Sequence, residues 1–446
     1  MSEFRRLTEV PVHLGRGRVF EHGWQSWSPT TTYPVTATSH RPVQPVMQQM
    51  CYRPGRPGPA HGFQGEGLLA VDPGTDNDPI RLYAAADPLS EAPSIRAELV
   101  GERLVISATV ADGRVEEHEF DGPLESALAQ WADGQGGSGQ RSGLRAAPTV
   151  WCSWYQYFAE VTESDIVENL AAIKAHGLPV DVAQIDDGWQ EQIGDWLTLS
   201  TRFDSLADLV GRIRATGLRA GVWTAPFLVA ESSRLAKDHP EWLVGGAAAG
   251  RNWGQDLFAL DVTNPGAAAY LSDVFATLSG HGFDYFKIDF LYAGALDGNR
   301  YRNVPALKAY RQGLQLIRDA IGDNAYLVGC GAPILPSVGL VDAMRVSADI
   351  DVRVEPDHGD LSRPSQRAAE LSTIGRAWQH GRFWVNDPDC IIARPEAQHR
   401  AEWAETVTRF GGLRASSDRI SALDDWGLET TRRLLSTVPP PEPFSS

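Results

Sequence analysis

Carboxylate side chains directly follow several predicted β-strands of the chain. The stretch 285–290 has apolar residues around Lys287 and Asp289, which is typical of a buried parallel strand that carries a cation and an acid at its C-terminal end. Further acids that follow predicted strands are Asp186, Asp187, Asp349 and Asp387. Because the C-terminal ends of barrel strands converge on one mouth, we expect these acids to share a site.

Two carboxylates that face each other across a pocket are the requirement for glycoside hydrolysis, because one attacks or guides water while the other protonates the leaving oxygen. Lys287 and Arg345 lie near such acids in the sequence and are expected to set which acid stays ionised. Aromatic residues that offer flat surfaces for a sugar ring are Trp24, Trp27, Tyr155, Trp189 and Trp223. Acids and aromatics together favour carbohydrate chemistry over phosphate chemistry.

Other interpretations of the acids stay open. Lys287 and Asp289 share one face of a strand and would also form a purely structural ion pair. Asp186 and Asp187 are equally typical of a helix cap or a solvated loop. A metal-dependent barrel enzyme, in which Asp186, Asp289 and Asp387 bind Mg²⁺, is a further alternative, and EDTA would abolish its activity.

The composition restricts the partners of the chain. Its 446 residues include 40 basic and 57 acidic ones, and the net charge of −17 predicts repulsion from nucleic acids and anionic membranes. The N-terminus lacks the apolar segment of a secretory signal and no run of about 18 apolar residues occurs, so we expect a cytoplasmic protein. No Walker-type loop, HExxH motif or CxxC pair is present. We expect a small neutral or cationic substrate and no cofactor or metal, and homo-oligomerisation stays open.

The sequence pattern changes near residue 146. Residues 1–145 contain short strands separated by Pro and Gly, which predict a small antiparallel β-domain, and the Gly-rich stretch 134–143 indicates its boundary. Residues 146–446 alternate strands with amphipathic helices, which predicts an α/β fold with a closed (β/α)8 barrel, although an open doubly wound sheet gives the same local pattern. The predicted barrel strands are 150–154, 180–185, 218–223, 285–290, 326–330, 344–348, 383–386 and 412–415.

Helix ends support this pattern. Thr162 and Asp165 have the spacing of a capping box, and Gly177 is the expected stop of the same helix. Ser205 is the predicted N-cap of the next helix, and Pro265 the predicted first residue of a later one.

Several long motifs occur in a fixed order along the chain. They are WQSW (24–27), WCSWYQYF (151–158), QIDD (184–187), GDW (194–196), WTAPF (223–227), FKIDFLYAGA (286–295), GCGAP (329–333) and WVNDPDC (384–390). Together they resemble bacterial retaining α-galactosidases of glycoside hydrolase family 36. The resemblance implies a (β/α)8 barrel preceded by a smaller, shortened β-sandwich domain, and double displacement with retention at the anomeric carbon.

The resemblance also implies roles for individual residues. By its place in the Lys-x-Asp motif, Asp289 resembles the nucleophile, and by its place in the Arg-x-x-x-Asp motif, Asp349 resembles the general acid/base, with Asp351 as its rival. The substrate-binding residues implied are Trp27, Tyr155, Asp186, Asp187, Trp223, Lys287, Cys330 and Arg345. The implied substrate is a terminal α-D-galactoside of a small oligosaccharide.

Alternatives within and outside this family stay open. The same residues would serve another α-glycoside, such as an α-N-acetylgalactosaminide or a pentopyranoside, or transfer to a sugar acceptor instead of water. A sugar-binding protein without turnover is the alternative from another class, and the retained acids argue against it.

Overall fold

The computed structural model describes residues 3–39, 45–135 and 143–444, and of Met47 only the backbone. Its first part contains the strands β1 Phe4–Pro11, β2 Arg18–Glu21, β3 Thr31–Pro34, β4 Phe63–Glu66, β5 Leu68–Asp72, β6 Ile80–Ala85, β7 Ser94–Val100, β8 Arg103–Thr109 and β9 Val115–Phe120. Among the described residues they form two antiparallel sheets, in the orders β1-β8-β7-β4 and β3-β2-β5-β6-β9. Two helices accompany them, α1 Pro45–Cys51 and α2 Leu124–Gln135.

The two sheets share one apolar core. Val10 and Ile95 come from the first sheet, and Val19, Leu69 and Tyr83 from the second, and all belong to the same buried cluster. Apolar side chains of two sheets that meet in one layer define a β-sandwich. The predicted antiparallel domain is therefore confirmed. The predicted boundary between residues 145 and 146 stays a prediction, because residues 136–142 lie outside the described residues.

The second part alternates strands and helices. Its strands are β10 Thr149–Cys152, β11 Val182–Ile185, β12 Arg219–Thr224, β13 Leu228–Ala230, β14 Leu243–Asn252, β15 Gln255–Leu260, β16 Tyr285–Ile288, β17 Tyr326–Gly329, β18 Ala343–Arg345, β19 Val385–Asp387 and β20 Arg414–Ser416. Its helices are α3 Trp154–Tyr157, α4 Glu163–His176, α5 Leu206–Ala215, α6 Arg234–Asp238, α7 Pro265–His281, α8 Ala306–Ile321, α9 Gln366–Gly375, α10 Arg400–Phe410 and α11 Asp425–Leu435.

A parallel barrel forms from all these strands except β13, β14 and β15. Within the described chain, eight strands pair in the order β19-β18-β17-β16-β12-β11-β10-β20, and every pair is parallel. The Asn386 carbonyl of β19 accepts the N–H groups of Gly412 at 3.0 Å and Leu413 at 2.9 Å, just before β20, and so closes the ring. All eight predicted strands are present. The (β/α)8 barrel is confirmed, and the strand order differs from that of a doubly wound sheet.

The helix ends follow the predicted signals. Thr162 and Asp165 form both bonds of a capping box before α4, which ends at Gly177 in the left-handed conformation. Ser205 caps α5, and α7 begins at Pro265. These signals place each barrel helix directly after the loop that follows a strand.

An insertion and a buried arginine complete the architecture around the mouth of the barrel. Strands β13, β15 and β14 form a separate antiparallel sheet between β12 and α7.

Arg376, fully buried after α9, donates to the carbonyls of Gln25, Ser26 and Ser28 at 2.8–3.0 Å and to that of Val346 at 2.7 Å. One guanidinium therefore joins the 24–28 loop of the sandwich to the barrel. No helix within the described ranges is long and apolar enough to cross a membrane.

Candidate active site

Asp289 directly follows β16, where the strand reaches the mouth of the barrel. Trp223 of β12 donates from Nε1 to Asp289 Oδ2 at 3.1 Å, and the N–H of Phe290 donates to Oδ1 at 2.7 Å. Phe290 has a φ of 51°, so the chain turns immediately after the acid. These contacts fix the carboxylate while 10% of the side chain stays exposed.

Lys287 lies between two acids. Its Nζ is 3.1 Å from Asp186 Oδ2 and 4.0 Å from Asp289 Oδ2. Burial alone would lower the pKa of Lys287, but attraction to Asp186 and Asp289 outweighs burial and raises that pKa well above its ordinary value. The ammonium is therefore charged at neutral pH and lies between Asp186 and Asp289, two of the three acids that would bind Mg²⁺ in the alternative from the sequence. Across the described ranges no three His, Cys, Asp or Glu side chains are arranged to hold a metal ion.

Asp186 and Asp187 are adjacent in sequence but differ in their hydrogen bonds. Asp186 Oδ2 accepts from Lys287, from Gln184 Nε2 at 2.6 Å and from the Cys152 thiol at 3.4 Å. Asp187 Oδ1 accepts from Gln190 Nε2 at 2.6 Å, and its Oδ2 accepts from Trp253 Nε1 at 2.8 Å. Burial raises the pKa of Asp187, although the donors Gln190 and Trp253 oppose the rise. Asp187 thus keeps more capacity to accept further donors than Asp186 does.

Asp349 is the most accessible of the predicted catalytic residues, since 33% of its side chain is exposed. Arg345 Nη1 donates to its Oδ1 at 2.9 Å. Its surroundings raise the pKa of Asp349 to about 6, because burial of the carboxyl and the charges of Asp389 and Asp289 outweigh the opposing charge of Arg345. Asp351, the rival from the sequence, is instead paired with Arg353 at 3.0 Å.

Asp389 is a site residue to which the sequence assigned no role. Its side chain is fully buried, Arg345 Nη2 donates to its Oδ1 at 2.6 Å, and the hydroxyl of Tyr155 donates to its Oδ2. Burial raises the pKa of Asp389 against the opposing charge of Arg345. Arg345 therefore bridges a buried acid and an accessible one.

The acids at the mouth of the barrel form two groups that interact electrostatically. Lys287 connects Asp186 and Asp289, and Arg345 connects Asp349 and Asp389. The charge of Asp289 contributes to the raised pKa of Asp349. Cys330, which follows β17, is fully buried, and burial raises the pKa of its thiol, as do the charges of Asp289 and Asp349.

The predicted aromatic residues have different environments. The ring of Trp27 packs edge-on against Phe290 at 4.9 Å, and a side chain at Gly331, where φ is +54°, would meet it at 2.8 Å. Among the described residues the indole N–H of Trp27 has no hydrogen-bond partner. Glycine at position 331 therefore lets the sandwich approach the residue that follows Asp289.

Two predicted aromatic contacts are wrong. Trp189 has no exposed surface and donates to the Trp223 carbonyl at 3.0 Å, so it supports Trp223 and does not reach a sugar. Trp24 packs on Ala92 and Leu307 beside a separate cavity of about 1310 Å³ that Asp289 and Asp349 do not line.

A residue outside the barrel completes the site. Trp253 lies in the turn between β14 and β15, its indole reaches Asp187, and its ring lies 5.2 Å from that of Phe290. Residues 245–250 before it are mainly Gly and Ala and carry no pattern that marks a functional segment. Sequence reasoning therefore missed Trp253.

Comparisons with known proteins show the family of this chain. Residues 141–310 match the family model described as Melibiase. The α-galactosidase TtGalA of Thermus thermophilus, solved in complex with stachyose, is 30% identical, with a TM-score of 0.81 over 97% of this chain and 93% of that chain. This chain belongs to the melibiase family of α-galactosidases. The predicted resemblance to glycoside hydrolase family 36 is confirmed.

Other α-galactosidases match over shorter stretches of sequence or share only the fold. The bifunctional α-galactosidase/sucrose kinase AgaSK of Mediterraneibacter gnavus is 31% identical over 105 residues, which are 22% of this chain and 11% of that protein. An α-galactosidase of Escherichia coli is 28% identical over 26% of this chain and 18% of that protein. The matched segments thus span less than a fifth of these two curated relatives. The α-galactosidase AgaA of Geobacillus stearothermophilus, at 14% identity and a TM-score of 0.64, shares the fold over 96% of this chain and 61% of that chain.

Proposed function

We propose that the protein is a retaining α-galactosidase that releases terminal α-linked galactose from small oligosaccharides by double displacement. Membership of the melibiase family and the similarity to the Thermus enzyme, which was solved with p-nitrophenyl α-D-galactopyranoside and with stachyose, support this substrate class. The observation that carries the proposal is the contrast between two acids at one mouth. Asp289 is fixed by Trp223 and by a nearby ammonium, whereas Asp349 is accessible and has its pKa raised to about 6.

This contrast matches the two tasks of a retaining glycosidase. A nucleophile has to be held in place beside the anomeric carbon, and the Asp289 carboxyl has the Lys287 ammonium 4.0 Å away and a hydrogen bond from Trp223. An acid/base has to give a proton and later take one back, which a carboxyl with a pKa near the working pH does best. Asp349 fits that task better than Asp351, because Asp349 lies close enough to Asp289 for the charge of Asp289 to raise its pKa, whereas Asp351 pairs with Arg353.

The proposed reaction has two steps. In the first, an oxygen of Asp289 bonds to the anomeric carbon while the bond from that carbon to the leaving oxygen breaks, and Asp349 transfers its proton to that oxygen. In the second, Asp349 takes a proton from water, the water oxygen bonds to the anomeric carbon, and Asp289 leaves. The sugar inverts twice and keeps its configuration.

The remaining residues are proposed to bind the galactose. Asp187, which has acceptor capacity left, takes sugar hydroxyls, and Asp186 together with Lys287 orders the floor of the site. Trp27 and Trp223 form apolar walls next to Phe290. Tyr155 and Arg345 are buried and bind Asp389, and Cys330 is buried after β17.

Product analysis tests the proposal. Proton NMR of a melibiose or raffinose digest should show release of galactose, with the α anomer appearing first and the β anomer only as mutarotation proceeds. D289N is the matched inactive control. Initial release of the β anomer would overturn the retaining mechanism, release of another sugar would overturn the substrate, and formation of a larger oligosaccharide would indicate transfer.

A further inference from the structure

The carboxylate of Asp187 is held from two sides by residues of different origin. Gln190, three residues along the same loop, donates to Oδ1, whereas Trp253 donates to Oδ2 from the insertion outside the barrel. Within the described part of the chain each oxygen has one donor, which leaves lone pairs for a ligand. The direction of those lone pairs depends on both donors.

We propose that Trp253 is a positioning residue, which from the turn between β14 and β15 orients Asp187 toward the hydroxyls of the sugar and thereby determines which pyranose ring the site accepts. The inference rests on the proposed α-galactosidase function. It assigns the insertion a role in choosing the substrate, next to the barrel acids that perform the reaction.

The turn that carries Trp253 has a constrained geometry. The pairs Arg251–Asp256 and Asn252–Gln255 flank a turn formed by Trp253 and Gly254, which have φ values of 49° and 73°. Two residues with positive φ form the turn type that joins β-strands most tightly, but a bulky side chain is unfavourable in the first of these positions. Strained residues that persist cluster at functional sites, and here the strained residue is the one that contacts the site.

The hairpin is also held from its other side. Gln49 of α1 donates to the Ala248 carbonyl, and the Tyr292 hydroxyl donates to that of Ala249 at 2.5 Å. A Cβ at Gly250, where φ is +101°, would lie 2.5 Å from Met50, so glycine is needed for α1 to approach β14. The hairpin that carries Trp253 is therefore anchored both to α1 and to Tyr292 of the barrel.

The groups around Asp187 set its pKa, so the pH dependence of substrate binding also reports on Trp253. The acids Asp186 and Asp289 face it and, with burial, raise its pKa, whereas the indole of Trp253 and the amide of Gln190 lower it. Lys287, the nearby cation, is paired with Asp186. Ionised Asp187 accepts a sugar hydroxyl more strongly than the protonated carboxyl does, so binding should weaken as the pH falls through the pKa of Asp187. Without the indole donor that pKa rises further, and the loss occurs at a higher pH.

The test compares W253F, which keeps the ring and removes the N–H, with the unsubstituted enzyme on a set of nitrophenyl α-galactosides that each lack one hydroxyl. We expect W253F to lose about tenfold in kcat/KM on the complete galactoside, mainly through KM, because one hydrogen bond that orders a ligand group is lost. On the analogue that lacks the hydroxyl bound by Asp187, the loss should fall below about twofold. The acidic limb of kcat/KM should move to higher pH, and W253H, which restores an N–H, should recover part of the loss.

W242F is the matched control, since Trp242 lies in the same insertion but stacks on His239 and not on the acids. An equal loss on every analogue, no loss at all, or absence of a cooperative thermal transition in W253F would overturn the role of Trp253. Failure of the unsubstituted enzyme to cleave any α-galactoside would instead overturn the proposed function, and the inference with it.

Discussion

Arg345 holds Asp349 through a single hydrogen bond of 2.9 Å, while its second terminal nitrogen binds the fully buried Asp389 at 2.6 Å. One guanidinium therefore controls the charge of an accessible acid and of a buried one. Since Asp389 raises the pKa of Asp349 and Arg345 lowers it, the protonation of Asp349 depends on both neighbours.

The variant D389N should shift the basic limb of the pH profile of kcat/KM. With Asp349 protonated below its pKa of about 6, kcat/KM should fall as the pH rises through this value. Removing the negative charge of Asp389 lowers the pKa of Asp349, so the basic limb should shift to lower pH. In D351N, whose carboxylate is paired with Arg353, the limb should stay in place. An unchanged limb in D389N would mean that another group sets the profile.

The variant D289A should lose at least about a thousandfold in kcat, because the group that forms the covalent intermediate is missing. Added azide should restore part of the turnover by attacking from the vacated face, which gives the β-galactosyl azide. D349A is the matched comparison: there azide should intercept the glycosyl-enzyme and give the α-galactosyl azide. Mass spectrometry and NMR of the azides distinguish the two, and a D289A enzyme with near-normal hydrolysis would remove Asp289 from its role.

The variant K287M should reduce both activity and stability. Loss of the ammonium leaves Asp186 and Asp289 without their shared cation, which should lower kcat/KM about a hundredfold and the free energy of unfolding by about 3 kcal/mol. Nitrophenyl galactoside kinetics and urea unfolding measure the two effects. Lys308, exposed on α8, provides the control K308M, which should behave like the parent. Normal kinetics in K287M would show that Lys287 is a structural residue only.

Much of the barrel and part of the site could be predicted because their signals are local. Most barrel strands are short apolar runs, several helix starts have a cap, and the acids follow the strands directly, so the shared location of Asp186 and Asp289 follows from the barrel rule. The Arg-x-x-x-Asp motif already favoured Asp349 over Asp351, but the sequence does not contain the pairs that Arg345 and Arg353 make with these two acids.

The site residues that could not be predicted from the sequence make contacts between distant parts of the chain. Trp253 lies 66 residues from Asp187, in a hairpin whose sequence gives no alternating pattern. Asp389 lies in an Asn-Asp-Pro-Asp stretch that is equally typical of a turn. Trp189 follows β11 and Trp223 lies near the end of β12, and only packing shows that the first supports the second.

The four carbonyl groups around Arg376 make the stability of the barrel depend on a loop of the sandwich. Burial lowers the pKa of this guanidinium to about 9, which still leaves it charged at neutral pH. Three of its acceptors belong to the 24–28 loop, so replacing the first domain by an unrelated one would leave a buried cation with only the Val346 carbonyl as acceptor. A chimaera at this junction should therefore fold only if position 376 changes at the same time.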